Sequence, residues 1–145
     1  MRRVLGTGVV ATLAAMVAAG AVAGLASALG VDLEVDGGES IPVSGIVFQA
    51  GVLSLVGVAL AVALLRWSAR PAERFVATAL VLTTVSLVPP VLWGRGAATV
   101  LTLVLLHLVV AAVMIPALTG SLRSDAAADL LVPEHHAAGG QPGAR

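Results

Sequence analysis

Four stretches of this chain carry no charged residue, and each is long enough to cross a bilayer as a helix. They run 4–31, 40–65, 75–94 and 96–122. About 20 apolar residues rising 1.5 Å each cover roughly 30 Å of hydrocarbon. Inside hydrocarbon every backbone N–H and C=O needs a partner from the protein, and a helix supplies all of them within one segment. The pattern predicts an all-α chain, a four-helix transmembrane bundle over residues 1–122 with spans of about 4–30, 41–65, 71–93 and 97–119. Composition then excludes the main rivals. With 59% hydrophobic and 11% charged residues, the chain lies well outside the range of soluble enzymes. It has no cysteine, so it is no disulfide scaffold. Eight arginines against eight acids leave no basic field for a nucleic acid.

Orientation follows from the arginines, because short loops rich in Arg or Lys stay cytoplasmic. Arg2 and Arg3 open the chain. The gap 32–39 holds Asp32, Glu34, Asp36 and Glu39 without a base. Arg66, Arg70 and Arg74 surround the next gap, Arg95 stands alone in the fourth, and Arg123 opens the tail. Both termini are therefore expected in the cytoplasm of a cell-membrane protein. The first span is expected to be a retained helix, since a signal peptide's apolar region is usually about 7–15 residues. Cleavage after the small residues at 21–28 is the alternative, and it would leave three helices.

Several helix ends are readable. Ser40 is placed to cap helix 2, with Pro42 in its first turn. Pro71 starts helix 3 and sets Glu73 at the positive end of the helix dipole. Trp67 and Trp93 fall at opposite water interfaces as anchors. Pro89-Pro90 leaves two readings of helix 3: it stops near Val88, or it kinks and resumes to Trp93. Helix 4 is expected to end around Thr119-Gly120 with Pro116 bending its last turn. Residues 123–145 are polar, Ala- and Gly-rich, and expected to be a disordered cytoplasmic tail.

Small residues let helix backbones approach where lipid provides no drive to associate. Gly20 and Gly24 on helix 1, with Gly51 and Gly57 on helix 2, are the expected packing positions. The acids at alternate places in 32–39 resemble the start of a calcium loop, but Val43 stands where that loop needs its bidentate Glu. They read as a solvated outer loop. His135-His136 beside Glu134 reads as incidental.

No Asp, Glu, Lys or Arg lies within the four charge-free stretches, and Glu73 and Arg74 stand in the first turn of helix 3 at the membrane surface. Small proton-coupled exporters need an embedded Glu, quinone-linked thiol oxidases need Cys pairs, and four-helix cytochromes need paired His ligands. None of these sets is present, so no catalytic residue, metal or cofactor is expected. What remains is a polar layer. His107 lies ten residues below Ala97, about 15 Å, and Gln49 eight below Ile41, about 12 Å. Their shared depth predicts a hydrogen bond between helices 2 and 4, joined by Ser86 if helix 3 continues past its prolines. Such a layer serves as structural glue or as a ligand or proton site.

An acidic loop running into Ile41-Pro42-Val43, a Pro-Pro at the end of helix 3, and Leu106-His107-Leu108-Val109-Val110-Ala111-Ala112 on helix 4 together resemble a known family. It comprises uncharacterised four-helix integral membrane proteins of high-GC Gram-positive bacteria, classed as a domain of unknown function. The resemblance covers residues 1–122 and implies the fold without assigning an activity. The expected role is a non-enzymatic integral membrane protein, an accessory or small subunit of a membrane assembly. Its partners are the lipid bilayer and either another membrane protein or further copies of itself, with no nucleic acid. The alternative is a small transporter or channel using the layer around His107 and Gln49, and a lipid-acting enzyme is a third option.

Overall fold

The computed structural model describes residues 1–35 and 38–131. Its main elements are α1 (Arg2–Ala28), β1 (Glu34–Val35), β2 (Glu39–Ser40), α2 (Val43–Trp67), α3 (Pro71–Ser86), α4 (Val88–Trp93) and α5 (Ala97–Leu131). Four spans are long and apolar enough to cross a membrane: α1, α2, α3 with α4, and α5 as far as Ala128. They pack together as an all-α bundle. α1 lies between α2 and α5 along its length, and α3 rests on α5 and α2 from the other side.

The closest packing follows small side chains. α1 buries Val4, Gly8, Ala11, Thr12, Ala15, Ala19, Ala23 and Ala26, spaced by three or four residues so that they form one ridge. α2 answers with Ala50, Gly51, Ser54, Val58 and Ala61. A Cβ built on Gly8 would stand 2.7 Å from both Val58 methyls, so only glycine fits there. α1 stops where Gly30, at φ +79°, lets Gly30 N–H bond Ser27 O and Val31 N–H bond Ala26 O. Val4, Phe75, Met114, Leu118 and Leu122 fill the core at the end nearer Arg2. Ala19, Ala23, Leu33, Ala50, Leu103 and Leu106 fill it at the other.

The acidic segment is a built element instead of a wholly solvated loop. β1 and β2 pair antiparallel, Val35 bridges to Gly94, and Arg95 N–H donates to Glu34 O at 3.1 Å. Thr99 Oγ1 donates to Asp32 O at 2.8 Å. Alternation explains this. Leu33, between Asp32 and Glu34, points inward at 3% exposure, with Val31 and Val35 half-buried beside it. Asp36 lies outside the described residues. Ser40 is therefore a strand residue and does not cap α2. The cap position is Pro42, extended at φ −66° and ψ 145°, whose carbonyl accepts from Gly45 and Ile46.

Pro71 occupies the first turn of α3, and Glu73 lies in that turn 3.4 Å from Arg70. Of the two readings of helix 3, the chain takes the second. α3 ends at Ser86, Leu87 turns, and α4 resumes with both prolines in its opening turn, where a missing N–H breaks no bond. α5 departs from expectation. It runs through Pro116 and past Gly120 to Leu131, so residues 123–131 of the expected tail are helical, and residues 132–145 lie outside the described residues. Its extension is held by tertiary contact: Leu118 and Leu122 are fully buried with Val4, and the Met1 ammonium pairs with Asp125. His135, His136 and Glu134 lie outside the described residues.

Candidate functional site

His107, Gln49 and Ser86 stand on three different helices and do not meet. The His107 ring is half-buried, and its Nδ1 lies 2.7 Å from Leu103 O one turn earlier on its own helix. A carbonyl only accepts, so Nδ1 carries the proton, and in the neutral ring Nε2 is left as an acceptor. Ser86 Oγ, also half-buried, donates to Thr83 O at 2.7 Å. Gln49 is exposed on the outer face of α2 beside Phe48, and its carboxamide makes no hydrogen bond to a described residue. The expected His107–Gln49 bond is therefore not formed. The rotation of α2 about its axis leaves Gln49 exposed instead of turned toward α5.

Four other hydroxyls behave as His107 does. Thr84, Thr102, Ser121 and Ser124 all bond a carbonyl three or four residues back. Two others matter more. Thr12 on α1 and Ser54 on α2 are 5% and 2% exposed, and neither hydroxyl has a hydrogen-bond partner among the described residues. Gly8 meets Val58, Gly51 meets Met16 and Gly20 meets Val47, an antiparallel register that sets Thr12 level with Ser54. Thr119 on α5 is a third buried hydroxyl without a partner among the described residues.

The four expected packing glycines fare unequally. Gly51 faces the Met16 sulfur and Gly20 a Val47 methyl, each with 3.0 Å to a built Cβ. Gly57 has 3.9 Å to Met114, and Gly24 has nothing within 4 Å. Gly8 is tighter than any of them, and the buried ridge beyond it is mostly alanine. The signal was present as Ala11, Ala15, Ala19 and Ala23, one small residue every fourth place. Trp67 and Trp93 are exposed at opposite ends of the bundle.

Charge divides the bundle in the same way. Arg2, Arg3, Arg66, Arg70, Arg74 and Arg123 gather at one end by virtue of the antiparallel helices, and Asp32, Glu34 and Glu39 at the other. With four packed apolar helices and this sorting of charge on the page, residues 1–124 match a family described as a family of unknown function, DUF6069. The chain belongs to the DUF6069 family. No curated protein and no solved structure matches it. The DUF6069 match takes in every element from α1 to most of α5, and therefore the ridge, the hairpin and all three expected polar residues.

Proposed function

We propose that this DUF6069 protein is a non-enzymatic, multi-pass cell-membrane protein that serves as an accessory or small subunit of a membrane assembly. Both termini are cytoplasmic, since six arginines share that end of the bundle and Arg95 alone occupies the other. The absence of lysine beside eight arginines supports an origin in a high-GC Gram-positive genome. One observation carries the subunit reading: the Gln49 carboxamide stands on the outer face of the bundle without a hydrogen-bond partner among the described residues. An amide facing hydrocarbon gains most from a donor or acceptor on a neighbouring protein. Co-purification from native membranes tests it. A stoichiometric partner that is retained by the wild type and lost from Gln49→Leu is expected, and wild-type protein that purifies alone removes the proposal.

A transporter or channel is the second reading, favoured by the His107 acceptor nitrogen, which has no partner among the described residues and lies about a third of the way along α5. It requires water to reach that ring. Cysteine replacing His107 in this cysteine-free chain would then react with a membrane-impermeant thiol reagent, and the subunit reading expects no reaction. Topology is tested the same way, with Asp36→Cys labelled from outside and Arg70→Cys from the cytoplasm.

A further inference from the structure

We infer that the α1–α2 groove at the arginine-rich end binds one anionic phospholipid, with its phosphate at Arg66. The groove is open, has a volume of about 420 Å³ and is almost wholly apolar, lined by Leu5 of α1 and by Leu55, Val58, Ala59, Val62 and Ala63 of α2. Ala59 and Ala63 lie one turn apart on α2, so two missing side chains make a continuous trough. Arg66 and Trp67 close the mouth. From Leu55 to Trp67 is twelve residues, roughly 18 Å of helix. One leaflet of hydrocarbon is about 15 Å deep. The trough therefore has the length of an acyl chain held from its headgroup level to the midplane, and it is too slight for a partner helix of about 10 Å diameter.

Charge selects the headgroup. Arg66 is exposed and makes no hydrogen bond or ion pair to a described residue. It also borders a second, more polar recess of about 410 Å³ with Met1, Leu65, Asp125 and Ala128. The acids at this end with described side chains are both engaged, Glu73 by Arg70 and Asp125 by the Met1 ammonium. The net field at the mouth is positive, and a guanidinium matches a phosphodiester with two parallel N–H donors. Trp67, 83% exposed, supplies an amphipathic ring at the same level.

The test is native mass spectrometry of the full chain in detergent with added phosphatidylglycerol or phosphatidylcholine. One phosphatidylglycerol should be retained in preference to phosphatidylcholine. Arg66→Gln should cut that preference about fivefold, the contribution of one basic residue near an anionic surface. Arg123→Gln, at the same end but outside the groove, should leave it unchanged. Ala63→Phe fills the trough without touching the charge and should expel the lipid. Equal retention of the two lipids overturns the inference. So does an equal effect of the two arginine substitutions, which would mean diffuse surface charge. Displacement of the lipid by inorganic phosphate alone overturns it too, since the acyl chain would then contribute nothing.

Discussion

Over their most apolar 18 residues, α1 and the α3–α4 span are nearly alike in mean hydropathy, at 2.2 and 2.0, yet 33% of one stretch and 11% of the other is buried within the bundle. The difference lies in side-chain size, not polarity. α1 presents Gly8, Ala11, Ala15, Ala19 and Ala23 to its neighbours, and backbones meet closely along its length. α3 and α4 are pinned near their ends, by Pro71 and Phe75 at one and Pro90 at the other. Between Phe75 and Pro90 no residue is buried, and Leu80, Val81, Leu82 and Val85 are all exposed. Hydrocarbon is as comfortable for leucine as a protein interior, so hydropathy brings a helix into a membrane without telling it which neighbour to hold.

The comparison can be broken most forcefully at Phe75, the large buried side chain of α3 at 2% exposure. Phe75→Ala should cost about 3–5 kcal/mol, the range for removing a buried aromatic ring. It should also release α3 from α5, read as lost crosslinking between cysteines placed on the two helices. Crosslinking that persists would mean the arm is held elsewhere.

A smaller but sharper effect is expected on the tight side. Gly8→Ala should destabilise the bundle by about 1–3 kcal/mol, as overpacking does, because the new methyl meets a β-branched side chain with little rotamer freedom. Pairing it with Val58→Ala should recover part of the loss, so that the double variant is more stable than the two single costs predict. Strict additivity in reversible detergent unfolding would show that Gly8 and Val58 do not oppose each other.

Gly24→Ala sharpens the contrast further. It lies on the same helix with nothing within 4 Å of a built Cβ. Stability should be unchanged or raised by up to about 1 kcal/mol from helix propensity. A loss comparable to that at Gly8 would restore Gly20 and Gly24 as the packing pair. The smallest effect belongs to the exposed arm: Leu82→Ala should stay within about 0.5 kcal/mol of wild type. A larger change in native membranes than in detergent would reveal a protein resting on that face.

Much of the fold was legible because its causes are local. Four charge-free runs, a proline at the start of α3, and arginines sorted to alternate gaps each act through a few neighbouring residues. The hairpin was half legible: alternate acids at 32, 34 and 36 were noticed, while the complementary Val31, Leu33 and Val35 carry the packing. The polar layer was not. Residue counting placed His107 and Gln49 at one depth, but depth is a property of one helix and a hydrogen bond between them belongs to two.

By itself, then, the sequence determined the number, length and order of the apolar helices and the separation of charge between the two ends, since backbone satisfaction in hydrocarbon and the placement of arginine depend on composition along the chain. Only the tertiary structure decided how each helix is turned about its axis. That rotation buried Thr12 and Ser54, put Gln49 outside and gave Gly8 the tightest glycine contact between α1 and α2. Tertiary contact likewise carried α5 past Pro116 and Gly120, because Leu118 and Leu122 gain buried neighbours on α1 that no local propensity encodes.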